Sequence, residues 1–261
     1  YPLWDGAPLR DRPLCVHSEG GFGDAIMFSR FAPLLAGLVR ELYLVVPPAL
    51  ARLFRELPGV RGIIVRRDRT PERAVHTSFW SMPAYVQLRL SGLPGSYRHL
   101  AAASEGFRLG PGTRPRVGLV WAGSRKTAHD VHRSVPDVEL LRPLLDAADV
   151  EWISLQFGDR AGAAERLPVR TVPMPGDWAG TAYLLKQLDL VISVDTAVAH
   201  LAGSLDIPTW IVLPSIPEFR WLLRRDDTPW YPSARLFRRS GTHDWEARVA
   251  CLARELADQF A

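Results

Sequence analysis

Short apolar runs, glycine-rich turns and amphipathic stretches follow one another in a fixed order along this chain. Residues 14–17 (Leu-Cys-Val-His) form an apolar run of strand length, 18–24 a glycine-rich turn, and 25–38 an apolar stripe at helical spacing. A strand at 42–46, a helix near 48–57 and a strand at 62–65 come next. A stretch rich in Gly, Pro and Ser then runs from Leu93 to Pro115, and beyond it the order restarts. Residues 117–121 read as a strand and Ala122-Gly123-Ser124 as its turn. Residues 137–146 read as a helix started by Pro136 and Asp137. Strands are expected at 151–156, 190–194 and 210–213, with a helix between the last two. Strands alternating with helices predict parallel βαβ units, and the Gly/Pro/Ser stretch predicts a boundary. The expectation is an α/β chain of two Rossmann-like lobes, 1–112 and 113–261. Between them lies a cleft at the carboxyl ends of the strands, where such sheets bind ligands.

Composition narrows the classes. A chain of 261 residues, 47% hydrophobic, is long enough for two lobes with a proper core. No apolar run approaches the ~20 residues that a membrane span needs. The opening Tyr1-Pro2-Leu3-Trp4-Asp5 lacks the basic start and apolar stretch of a signal peptide and reads as a cut from something longer. Cys15 and Cys251 are too few for a disulfide framework or a structural zinc site; they read as thiols in a reducing cytoplasm. The net charge of +4 is carried by arginine, since Lys126 and Lys186 are the only lysines. The pairs Arg66-Arg67, Arg224-Arg225 and Arg238-Arg239 do not interleave with aromatic residues, so no nucleic-acid partner is expected.

Two segments carry candidate chemistry. In residues 190–203 a buried strand runs into a helix with almost no loop. Asp195 is placed as the N-cap, and Thr196 and Ala197 open the helix, whose free N–H groups and positive dipole end form an anion site. Small Ala197 lets a ligand approach the backbone. His200 lies one turn on, on the side of Thr196, with its imidazole in reach of a phosphate or a sugar hydroxyl. The same residues also fit a plain strand-to-helix junction with a capping Asp and a satisfied histidine. In the first half, Gly20-Gly21-Phe22-Gly23-Asp24 lacks the spacing of a dinucleotide loop. Asp24 stands at a helix start, where it is either a cap or a general base, with Glu19 and His17 as neighbours able to take that role. Gly21 and Gly23 leave room for acceptor and donor sugar beside the backbone.

The segment from Asp195 to His200 resembles the donor-binding motif of the heptosyltransferase-like glycosyltransferases (glycosyltransferase family 9), Asp-Thr/Ser-small-x-x-His after a strand of the second lobe. The chain as a whole is similar to the catalytic region that follows tetratricopeptide repeats in bacterial proteins. That resemblance runs through Trp4-Asp5-Gly6, Gly20 to Asp24, Val117 to Gly123, Arg133-Ser134-Val135-Pro136, Ser154-Leu155-Gln156 and Trp230 to Arg238. It implies a GT-B fold, a nucleotide-sugar donor and a protein or glycan acceptor, with upstream repeats in the full-length protein. Asp195, Thr196, Ala197 and His200 would surround the donor diphosphate and sugar, and Gly123 and Ser124 would form a second phosphate loop. Arg133, flanked by Lys126 and His132, would neutralise the leaving diphosphate. Met174, with Val172 and Pro173, would pack on the nucleobase, and Gln156 is a further donor-side candidate. Asp24 would be the base.

Three features depart from the family pattern. The first lobe is short. The loop Ser124-Arg125-Lys126-Thr127-Ala128-His129-Asp130 is worded differently. And two cysteines cannot supply the iron-binding cluster of some relatives. No Asp-x-Asp triplet stands near the motifs, so an inverting transferase with neither metal nor cofactor is expected. The alternatives are a nucleotide-sugar 2-epimerase and a non-catalytic nucleotide-binding scaffold.

Overall fold

The computed structural model describes residues 2–66, 69–94, 100, 102–125, 130–241 and 244–261. The chain forms two parallel sheets with helices packed on them. The first sheet has the order β3-β2-β1-β4, built from β1 (Leu14–His17), β2 (Leu42–Val45), β3 (Val60–Ile64) and β4 (Val75–Ser78). The second has the order β6-β5-β7-β8-β9, built from β5 (Arg116–Val120), β6 (Glu151–Ser154), β7 (Leu190–Val194), β8 (Thr209–Leu213) and β9 (Ala234–Arg238). The α/β architecture of two parallel sheets is the one expected. The central strands β7 and β8 are buried at every residue, the signature of a parallel strand covered on both faces.

The helices are α1 (Phe22–Phe28), α2 (Ala32–Ala36), α3 (Pro48–Ala51), α4 (Met82–Tyr85), α5 (Asp130–Arg133), α6 (Arg142–Leu145), α7 (Trp178–Leu185), α8 (Ala197–Ser204) and α9 (Trp245–Gln259). The single helix expected over 25–38 is split. A 3₁₀ turn, Ser29–Phe31, separates α1 from α2, because Pro33 in the first turn of α2 has no N–H to continue the ladder. The helix expected over 137–146 is divided in the same way. The Asp137 side chain caps a 3₁₀ turn, Val138–Leu141, and Pro143 sits in the first turn of α6.

In each sheet the strand order reverses next to one strand, β1 in the first and β5–β7 in the second. α1 follows β1 and α8 follows β7, so both helices start at a switch point and face each other across the cleft. One continuous apolar core joins the lobes, from Trp4, Phe31 and Phe54 to Trp178, Trp221 and Tyr231. A second core fills the far side of the second sheet, where α9 lays Trp245, Val249, Leu252 and Leu256 against it. Arg30 pins the lobes together. It is fully buried, donates to the carbonyls of Pro94 (3.0 Å) and Trp230 (2.6 Å), and lies over the Tyr231 ring at 4.8 Å. Among the described residues no helix is long and apolar enough to cross a membrane.

Candidate active site

The end of β7 delivers Asp195 and Thr196, but not as the sequence pattern suggests. Thr196, not Asp195, is the N-cap residue of α8, and no side chain caps that helix. Thr196 Oγ1 instead pairs with Ser193 Oγ at 3.0 Å. Asp195 is turned inward, where its Oδ2 accepts from Trp221 Nε1 at 2.8 Å. Burial raises the cost of its charge. The facing His200 imidazole, the Trp221 N–H and the Arg220 guanidinium outweigh that cost and hold its pKa below the usual carboxylate value. The start of α8 therefore keeps its backbone donors unspent by any side-chain cap, and the dipole end is open to an anion.

His200 does not reach outward as expected. It is 2% exposed, stacks on Trp221 (centroids 5.2 Å apart, 17° between planes), and its Nδ1 meets the Tyr231 hydroxyl at 2.7 Å. Its Nε2 faces Asp195 Oδ1 at 3.6 Å and Arg220 Nη1 at 3.4 Å. Burial lowers its pKa, and the Arg220 charge lowers it further, so the ring is neutral despite the nearby carboxylate. Burial pushes Tyr231 up to about 12, so its hydroxyl stays protonated as the partner of Nδ1. His200 thus holds α8, Trp221 and Tyr231 together rather than presenting a free imidazole.

The room at Gly23 is also used differently. A Cβ there would come within 2.7 Å of His200 Cδ2 and 3.3 Å of Ala197 Cα. The missing side chain at Gly23 and the small one at Ala197 let α1 and α8 touch, and the space expected for a ligand is filled by the opposite lobe. Gly21 is the N-cap residue of α1, and its N–H donates to Asp24 Oδ2 at 2.9 Å. Asp24 therefore spends one oxygen on the N-cap N–H, the half of a capping box that a glycine N-cap allows. Its other oxygen, Oδ1, lies 2.8 Å from Arg220 Nη1, too oblique for a hydrogen bond, and has no hydrogen-bond donor among the described residues.

On the β5 side, Gly123 lies against Arg133: a Cβ at Gly123 would approach Arg133 Nε to 2.5 Å and Asp130 Oδ1 to 2.6 Å. Arg133 Nη1 donates to the Asp195 carbonyl at 3.1 Å, so the expected cation does stand between the β5 turn and the start of α8. Buried Asp130 organises it, pairing with Arg133 (3.3 Å) and Arg160 (2.6 Å) and accepting from Ser134 Oγ (2.7 Å), which in turn accepts from the Gly123 N–H. Ser124 is exposed beside this group. Lys126 lies outside the described residues. His132 offers its carbonyl to Arg239, and its side chain is exposed.

Gln156 is not placed to touch a ligand. Its Oε1 accepts from the N–H of Trp121 (3.1 Å) and Ala122 (2.9 Å), and its Nε2 donates to the carbonyls of Ala122 (3.0 Å) and Phe157 (3.2 Å). All four hydrogen-bonding positions of the amide are spent on fixing the β5 turn. Met174 lines a cavity of about 390 Å³ together with Arg52, Glu105, Phe107, Pro173 and Asp177. Arg52 and Asp177 pair across the lobes at 3.1 Å, and Asp177 also caps α7 through the Gly180 N–H.

The residues missed from the sequence are Arg220 and Trp221, in a 3₁₀ turn Phe219–Trp221 after β8, with Asp130, Arg160 and Tyr231. A loop at the carboxyl end of a parallel strand, holding an arginine between two aromatics, is the signal that points to Arg220. The backbone confirms the special status of this loop. Leu222 has φ 55° and ψ −165°, a conformation nearly reserved for glycine that costs of the order of 1–3 kcal/mol and persists only where its surroundings impose it. Here the anchors are buried Trp221, held on Asp195, and Arg238, which donates to the Trp221 carbonyl.

Solved structures share this fold. A glycosyl transferase family 9 protein from Veillonella parvula superposes with a TM-score of 0.63 over 90% of this chain and 88% of its own, at 12% identity. The E. coli heptosyltransferase WaaC, solved with ADP-2-deoxy-2-fluoro heptose, superposes with a TM-score of 0.57 over 95% of this chain and 100% of its own, at 14% identity. The chain has the heptosyltransferase-like GT-B fold. In sequence, no family model matches it. The protein FlbA of Caulobacter vibrioides is 29% identical over 98% of this chain. The match covers 48% of FlbA, so the GT-B region spans about half the length of that curated relative.

Proposed function

We propose that this chain is a glycosyltransferase that moves a sugar from a nucleoside-diphosphate sugar to a protein or glycan hydroxyl, with inversion and without a metal. The observation that carries the reading is the convergence, within a GT-B cleft, of three groups. These are the uncapped start of α8, the Arg133 cation beside it, and the Asp24 carboxylate of α1, the helix that packs on α8 from the other lobe. The solved WaaC structure, with an ADP-heptose analogue in the same fold, supports the donor class.

In this mechanism the acceptor oxygen attacks the anomeric carbon opposite the diphosphate. Its proton passes to Asp24 Oδ1, the oxygen left without a hydrogen-bond donor. The electron pair of the breaking C–O bond goes to the diphosphate, where Arg133 and the α8 N–H groups meet the growing charge. Thr196 and Ala197 flank that anion; Met174 and its cavity take the nucleobase. Gly123 keeps the β5 turn close to the phosphates. The nucleotide sugar and the two free cysteines fit a cytoplasmic setting, and the half-length match to FlbA leaves room for upstream repeats that deliver the acceptor.

The test is a panel of ADP-, UDP- and GDP-linked sugars incubated with the protein in EDTA. Released nucleoside diphosphate, lost on Thr196→Trp in a folded protein, supports the reading. An isomerised sugar still linked to its nucleotide replaces it with epimerisation. Binding with no turnover on any acceptor tried leaves the scaffold reading in its place.

A further inference from the structure

We propose that Arg220 couples donor binding to release of the base: with no donor its guanidinium is held against Asp24, and a diphosphate at the start of α8 draws it away. The inference rests on the glycosyltransferase reading above and assigns a regulation to the same site.

Four observations carry it. First, Arg220 is 7% exposed and crosses from the second lobe to Asp24 in the first, at 2.8 Å. The contact is single and oblique, not the two parallel hydrogen bonds of a strong arginine–carboxylate pair, so a better anion can compete for it. Second, Arg220 Nε is buried with no acceptor among the described residues. A buried N–H left unpaired is unfavourable, and a phosphate oxygen is the kind of acceptor that would complete it. Third, the guanidinium already touches the first turn of α8, through His200 Nε2 at 3.4 Å, and that helix start has no side-chain cap. Fourth, the backbone around Arg220 is fixed, and its guanidinium is bordered by aromatic faces. Trp221 is locked onto Asp195, whereas the guanidinium lies among aromatic rings, 5.4 Å from the centroid of Phe219 and 6.0 Å from that of Trp80. Such faces hold a cation without fixing its direction.

The coupling orders the reaction. Before the donor arrives, Arg220 Nη1 stands against Asp24 Oδ1, on the side from which an acceptor hydroxyl has to approach that oxygen. After the donor arrives, the guanidinium adds its charge to the leaving diphosphate, and Asp24 Oδ1 is free to take the acceptor's proton.

ADP, UDP and GDP are titrated separately by calorimetry into the wild-type chain, Asp24→Asn, Arg220→Gln, Arg220→Lys and the double variant Asp24→Asn/Arg220→Gln, each checked by thermal melting. Arg220→Gln is expected to weaken binding of the preferred nucleotide by roughly ten- to a hundredfold, the worth of a charge-assisted hydrogen bond. Asp24→Asn is expected to tighten it by about three- to tenfold, because it removes the competitor for the guanidinium. In the Arg220→Gln background the same change is expected to do nothing. Arg220→Lys, which keeps the charge, is expected to bind between the two and to keep the tightening; if Arg220→Gln does not fold, a missing tightening in the Lys background overturns the proposal. Unchanged or weaker binding by Asp24→Asn, or equal shifts in both backgrounds, overturns the coupling but leaves the donor site intact if Thr196→Trp still abolishes binding. A wild-type chain that binds none of the three nucleotides overturns the donor site and the coupling together.

Discussion

Gly23→Ala tests the contact on which the closed cleft depends. The new Cβ would lie 2.7 Å from His200 Cδ2 and 3.3 Å from the Ala197 Cα, where ordinary carbon contacts are about 3.5–4.0 Å. Neither neighbour gives way easily. The imidazole is clamped between Trp221 and the Tyr231 hydroxyl, and the Ala197 Cα is backbone. Overpacking of this kind costs about 1–3 kcal/mol. Replacing glycine by alanine in a helix returns up to about 1 kcal/mol, and less at a position this near the helix start. The net is a destabilisation of about 1–2 kcal/mol, and each kcal/mol lowers Tm by about 2–4 °C in a chain of this size. The control is Gly162→Ala, in the 3₁₀ segment Gly158–Arg166, where no atom lies within 4 Å of the new methyl. That change is neutral or stabilises by about 0.4–1 kcal/mol through the unfolded chain. Urea and thermal unfolding of both variants beside the wild type give the comparison. Gly23→Ala as stable as Gly162→Ala would mean that α1 and α8 do not touch here, and the cross-lobe geometry of Asp24 and Arg220 would lose its basis.

Two further outcomes are expected. Asp24→Asn preserves the capping oxygen toward Gly21 but removes the base, so turnover is expected to fall by about 10²–10⁴-fold with little change in Tm; full activity would transfer the proton to another group. His200 sits below its usual pKa of 6.5, so its contribution to stability is complete above that value and is lost as pH falls through the depressed folded value. Between pH 7 and pH 5 the wild type is expected to lose stability faster than His200→Gln, by up to about 1.4 kcal/mol per pH unit for one proton; identical slopes in urea titrations would show the ring to be protonated when folded.

The strand-to-helix junction at Asp195 was legible because a run of five residues, apolar except for Ser193, ends abruptly in Asp-Thr, and the direction of β7 then places everything after it in the cleft. α7 was not, since seven of its eight residues are buried and an all-round apolar helix has no stripe to read. The two split helices were misread because apolar periodicity continues across Pro33 and Pro143 while the hydrogen-bond ladder does not. Of the candidate site, Arg133 lies between the β5 turn and the start of α8, and Asp24 lies at the start of α1 against Arg220. Asp195, His200 and Gly23 lie in the right place with different tasks, because sequence spacing sets which turn a residue occupies and not which partner across the cleft claims it. Asp24 and Arg220 are 196 positions apart, and no local pattern announces their meeting.

The apolar core shared by the two lobes bears on how such a chain can change over time. Trp230 and Tyr231 in one lobe are packed on Phe28, Phe31 and Arg30 in the other, so each lobe completes its partner's interior. A recombination event that replaced one lobe with a homologous piece would have to bring matching residues on both sides of the seam, or leave Arg30 buried without its carbonyls. The packing therefore favours inheritance of the halves as one block. New specificity arises most readily by substitution in the loops at the carboxyl ends of the strands, which can vary while the seam beneath them stays constant.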